Sequence, residues 1–193
     1  MKRINYIFID YENVCPDDLS RIEGKCAQVH LVLGARQERP SRRLHRQIEE
    51  HAEKVQMIKT PLVGKNALDF VLACEVGTQV MKDPEGYYHV ISKDTGFDAL
   101  IKHLQSNDIL AARRQSLADV PALMTTEERF NLLLRRLRSS DRPRPARRKT
   151  LESTIRATFD QSLDSDVIER AIALMVHKGI LNVSDAGRVS YPA

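Results

Sequence analysis

Three aspartates stand where side chains could do chemistry, each at an end of an apolar segment. Asp10 follows Tyr6-Ile7-Phe8-Ile9, within Ile9-Asp10-Tyr11-Glu12-Asn13. Asp94 follows Val90-Ile91, within Ser92-Lys93-Asp94-Thr95-Gly96-Phe97-Asp98. If both runs are parallel strands of one sheet, their carboxyl ends open on the edge where such sheets bind ligands, and acids far apart in sequence converge there. Asp69 is the third. It lies in the first turn of Asn66–Met81, where Ala67, Leu68, Phe70, Val71, Leu72, Ala73, Cys74, Val76 and Val80 leave little polar surface and predict a buried helix. A carboxylate there costs several kcal/mol unless it is paired, hydrogen-bonded or bound to a metal. The plainer reading is a solvated acid that favours the helix dipole.

Clustered carboxylates repel one another unless a divalent cation sits among them. Ligands that are all oxygen select hard ions, Mg²⁺ or Mn²⁺, and such ions activate water and offset charge on a phosphodiester under attack. Asn13, three residues after Asp10, fits as a ligand-orienting amide, and Ser92 as a hydroxyl beside metal or phosphate. The turn after Ser92 offers backbone N–H groups at the start of a helix. Glu12 either points into the same site or faces solvent on its turn.

The elements that must position these groups follow from periodicity. Apolar, β-rich runs predict strands at Ile4–Ile9, Gln28–Leu33, Val55–Lys59, Tyr87–Ser92 and Ile109–Arg113, with helices at Pro16–Glu23, Pro40–Lys54, Asn66–Lys82 and Gly96–Gln105 between them. This alternation predicts an α/β fold, a Rossmann-like three-layer sandwich around a central parallel sheet. The nearly continuous apolar first strand belongs in the middle of that sheet.

Beyond residue 123 the pattern changes. A helix capped by Thr125 or Thr126 runs to Leu137, and a Ser/Pro/Arg stretch that cannot stay helical follows, so 124–149 reads as a helix and an Arg/Pro-rich linker. Residues 150–193 hold two amphipathic helices, Leu151–Phe159 and Asp166–Lys178, then two short strands around Ser184-Asp185-Ala186-Gly187. Helices closed by a hairpin resemble a winged-helix domain. Three domains of sequence result: 1–123, 124–149 and 150–193.

Phe8-Ile9-Asp10-Tyr11-Glu12-Asn13, Lys65-Asn66-Ala67-Leu68-Asp69 and Ser92-Lys93-Asp94-Thr95-Gly96-Phe97-Asp98 together resemble the signature blocks of the PIN-like/NYN nucleases. The resemblance spans roughly residues 1–120, with the blocks in the family's order. It implies a metal-dependent endoribonuclease that uses Mg²⁺ or Mn²⁺ and leaves 5′-phosphate and 3′-hydroxyl ends. Asp10, Asp69 and Asp94 would be the catalytic, metal-holding carboxylates, with Asn13 supporting them. The third block departs from the family's S-x-D-x-D-F. Gly96 stands where the second acid belongs, and Asp98, four residues after Asp94, is either its substitute or a helix cap.

The chain carries 30 Lys/Arg against 26 Asp/Glu in 193 residues, a net +4, but eight basic residues and one acid fall between Arg135 and Lys149. That run, with Arg142, Arg144, Arg147 and Arg148, is the expected contact for nucleic-acid phosphates, as are Lys65 and Lys93 beside the acids. Arg39, Arg42, Arg43, Arg46 and the Arg113-Arg114 pair are further groove candidates. Residues 150–193 hold four basic and six acidic side chains, which favours protein contact or self-association for that module over phosphate binding. RNA is the expected partner, with single-stranded DNA as the other candidate. Three cysteines without CxxC spacing, scattered histidines and no long apolar run argue against disulfide, zinc and membrane classes, and for a cytoplasmic protein. Two other readings stay open: a degenerate domain that binds nucleic acid without cutting it, and a phosphohydrolase, although Asp10-Tyr11-Glu12-Asn13 lacks the DxDx[TV] spacing of haloacid dehalogenase-like phosphatases.

Overall fold

The structure is a computed structural model, described here for residues 3–37, 40–139, 143–158 and 165–192. It divides into two compact units, Met1–Leu123 and Met124–Ala193.

In the first unit, β1 (Asn5–Asp10), β2 (Ala27–Leu33), β3 (Val55–Lys59), β4 (Tyr87–Ile91) and β5 (Leu110–Arg114) form one all-parallel sheet in the order β3-β2-β1-β4-β5. β1 is central because its side chains are apolar on both faces. Ile7 and Ile9 enter one core layer, with Leu44 and Ile48 of α1 (Arg42–Glu50). Tyr6 and Phe8 enter the other, with Leu68, Leu72 and Val76 of α2 (Ala67–Lys82) and Phe97, Ile101 and Leu104 of α3 (Phe97–Ser106). The expected three-layer α/β architecture is therefore present, with the strands' carboxyl ends on one edge.

Two sequence expectations fail in instructive ways. Pro16–Glu23 forms only a single 3-10 turn, Ser20–Ile22. Asp18 Oδ1 accepts the Ser20 N–H (2.6 Å) and a Gln47 side-chain N–H (3.1 Å), so a side chain takes over bonding that a helix would need from the backbone. Helix α2 is not buried all round either. Leu68, Leu72 and Val76 face the sheet, while Phe70 and Met81 are 72% and 86% exposed.

In the second unit, α4 (Thr126–Arg138) starts at a capping box. The Glu128 N–H donates to Thr125 Oγ1 (3.2 Å), and the Thr125 N–H donates to Glu128 Oε2 (2.8 Å). Leu133 and Leu137 of α4 share a core with Leu151 and Ile155 of α5 (Arg148–Thr158), Ile168, Ile172 and Met175 of α6 (Ser165–His177), and Val189. Gly179, at φ +64°, ends the last helical turn in the left-handed conformation that glycine tolerates. The hairpin is β6 (Asn182–Val183) with β7 (Val189–Ser190). Arg147 bridges to Arg188 and the Val189 N–H donates to Ala146 O (2.9 Å), so the end of the Pro/Arg stretch lies against the hairpin as part of this unit. Among the described residues, no helix is long and apolar enough to cross a membrane.

Candidate active site

Asp10 ends β1 wholly buried, and its carboxylate organises the loop that follows. Oδ1 accepts the backbone N–H groups of Glu12 (3.1 Å) and Asn13 (3.3 Å). Oδ2 accepts the Asn13 side-chain amide (2.6 Å) and the Ser92 hydroxyl (2.7 Å). A carboxylate offers about four acceptor positions, so all are engaged. Ser92 is buried just past β4, and its Oγ accepts the Asp94 N–H (3.0 Å), while Asp94 Oδ1 accepts the Gly96 N–H (2.7 Å). A continuous hydrogen-bonded chain thus joins Asn13, Asp10, Ser92 and Asp94 across the ends of β1 and β4, where Ile9 lies opposite Ile91.

Asp69 faces this chain from the first turn of α2. Partial burial, then the negative charges of Asp10, Asp94 and Glu12, hold its carboxyl above the ordinary carboxylate range. Four acids from three parts of the sequence therefore share one electrostatic field. Glu12 Oε1 lies 2.2 Å from where a Cβ on Gly34 would stand, so only a residue without a side chain lets Glu12 rest across the end of β2. Gly34 went unread in the sequence; its position directly after an apolar strand was the available signal.

The structure places Asp98 differently from the other acids. Arg113 Nε donates to Asp98 Oδ1 (2.7 Å) and its Nη1 to Ser92 O (3.0 Å). That guanidinium holds the Asp98 carboxyl below its ordinary range. Arg113 is therefore a tie between β5 and the Ser92 turn, and Asp98 anchors it. Lys93 is exposed beside Asp94. Lys65, also exposed, lines a cavity of about 400 Å³ together with Glu12, Gly34 and Arg36.

The second unit sorts the remaining basic candidates. Arg148 forms ion pairs with Glu152 (3.1 Å) and Glu169. Arg144 lies over the Tyr191 ring, 5.4 Å from its centroid. Arg147 is exposed beside Arg188 at the bridge. Arg39 and Arg142 lie outside the described residues.

Residues 4–114, more than half of the chain, match the family model of the PIN domain. The chain belongs to the PIN-domain family. PIN domains are generally nucleases that use divalent metals. No curated protein and no solved structure gave a match.

For a PIN domain the question is whether these residues suit a divalent ion. Among the described residues, no three His, Cys, Asp or Glu side chains form a group placed to enclose an ion. The donor chemistry nevertheless suits Mg²⁺ or Mn²⁺, which are commonly held by one or two carboxylates, with water and substrate phosphate completing the shell. Asp10, Asp69 and Asp94 are the carboxylates that would fill that role, and repulsion at Asp69 is what a cation would relieve.

Proposed function

We propose that the PIN domain is a metal-dependent endoribonuclease of the NYN-like type, hydrolysing RNA phosphodiester bonds, and that the second unit is a winged-helix module for targeting or oligomerisation. The observation that carries the reading is the convergence of Asp10, Glu12, Asp69 and Asp94 at one sheet edge, felt as a raised proton affinity at Asp69. A bound Mg²⁺ or Mn²⁺ supplies the Lewis acidity that activates water and offsets charge on the phosphate. In this reading Asp10, Asp69 and Asp94 hold the ion. Asp10 fixes the loop carrying Glu12 and Asn13, and Ser92 couples Asp10 to Asp94. Asp98 acts at one remove, by anchoring Arg113. Lys65 and Lys93 flank the acids as phosphate contacts. A water oxygen forms the new bond to phosphorus, the P–O3′ bond breaks, and O3′ takes up a proton, which leaves 5′-phosphate and 3′-hydroxyl ends. The order α4, bridge residue Arg147, α5, α6 and the β6–β7 hairpin supports the winged-helix assignment.

The decisive assay incubates single-stranded RNA with the protein and Mn²⁺. Cleavage that falls about 100-fold or more in Asp94→Asn supports the reading; an Asp94→Asn variant with full activity sinks it. Faster hydrolysis of small phosphate esters than of RNA indicates a phosphohydrolase. One observation favours a second reading, a PIN domain that binds RNA without cutting it: every acceptor position of Asp10 is already filled. Tight RNA binding with no Mn²⁺-dependent cleavage is its signature.

A further inference from the structure

We infer that the cavity beside the acids seats a base of single-stranded RNA, that of the nucleotide adjoining the phosphodiester the acids face; this rests on the nuclease reading above. The cavity, about 400 Å³, opens between the carboxyl end of β2 and the amino end of α2, and falls in the size range of small-ligand sites. It shares Glu12 with the acid cluster, so it is continuous with the candidate active site.

Its walls have the character a base requires. Leu62 and Val63 line it and are 61% and 67% exposed, two adjacent apolar side chains on a connecting segment. Their presentation is fixed. The buried Thr60 donates its N–H to Leu33 O (2.9 Å), and its Oγ1 accepts the Leu62 N–H (3.2 Å). Asn66, at φ +60°, also lines it and turns the chain into α2. Phe70 lies just outside the cavity's lining, in the first turn of α2, where its N–H donates to Asn66 O (3.1 Å). It is the only Phe or Tyr that is exposed among the described residues. Arg36 and Lys65 line it too and supply positive charge beside Glu12. A nucleotide is the ligand that asks for both: apolar faces for its ring and cations for its phosphates. Aromatic platforms with basic grooves are how proteins hold single strands without reading their sequence.

The test uses the full chain in EDTA and fluorescence anisotropy with a short single-stranded RNA, one nucleotide at a time replaced by an abasic spacer. At one position the spacer is expected to weaken wild-type binding about 5- to 150-fold, the span of base stacking on protein rings. In Phe70→Ala, and separately in a Leu62→Ala/Val63→Ala double variant, that same spacer is expected to cost little, because side chain and base lose one shared contact. An unchanged spacer penalty in both variants overturns the base site, as does equal loss at every position in wild type. Having two independent variants keeps the test sound if one folds poorly, which a thermal melt reports. Cleavage with Mn²⁺ separates the two readings. A coupled spacer penalty without cleavage keeps the base site and removes the nuclease, whereas cleavage without coupling removes the base site alone.

Discussion

Asp69 is where the repulsion within the site concentrates, and replacing it separates stability from activity. Asp69→Asn removes a half-buried charge from the field of Asp10, Asp94 and Glu12. In EDTA the variant's thermal midpoint is expected to rise, by a few degrees at most because solvent screens a half-buried group. Mg²⁺ is expected to raise the wild-type midpoint but not the variant's, and RNA cleavage to be lost; differential scanning fluorimetry and a gel assay read both. At this scale the acids were legible in the sequence because each ends or begins an apolar segment, and a parallel sheet fixes where such ends go. What Asp98 does was not legible. Its partner, Arg113, lies 15 residues away on β5, and only the packed turn shows that the guanidinium also takes the Ser92 carbonyl. The close approach of Glu12 to Gly34 is hidden for the same reason: sequence spacing says nothing about two loops meeting.

Among the elements, β4 carries a pH dependence of its own. His89 is fully buried in the sheet and hydrogen-bonded to Asn5 Oδ1 (3.1 Å), and burial, with the nearby Arg114 charge, pushes its pKa down to about 3. Between that value and the ordinary histidine range, the unfolded chain binds a proton that the folded chain refuses. Stability is therefore full at neutral pH and falls as pH drops below about 6.5, with a slope approaching 1.4 kcal/mol per pH unit. His30, buried on β2 with its pKa also lowered, adds to the same limb. Chemical denaturation from pH 7.5 to 4.5 checks this, and His89→Gln is expected to flatten the acid limb relative to wild type. In the second unit, the basic run divides by element. Arg147→Ala is expected to weaken RNA binding and to reduce the salt slope by about one. Arg148→Ala, which strips Glu152 and Glu169 of their partner, is expected to lower the unit's melting point with less change in that slope. Strand positions were readable because apolar runs of five or six residues between turn signals have little alternative. The outward face of α2 was not, since a helix apolar on every side carries no periodicity to say which stripe meets the sheet.

At the scale of the whole molecule, charge follows the division into units. Residues 1–123 hold 17 Lys/Arg and 17 Asp/Glu, while residues 124–193 hold 13 against 9, so the second unit accounts for the entire net +4. A fragment of residues 1–123, which contains both sheet-facing cores, is expected to keep Mn²⁺-dependent cleavage while losing most of the salt-sensitive affinity. Binding titrations at several salt concentrations, run beside the full chain, check it. The strand order carries a different consequence, for how the chain is made. β1 emerges before the other strands, yet one of its edges is covered only when β4 is complete, 81 residues after β1 itself. At about 5–20 residues per second, that edge of the central strand stays open for roughly 4–16 s. The nascent chain thus offers an unpaired β-template to chaperones, or to neighbouring chains on the same message, for most of the time the first unit takes to be synthesised.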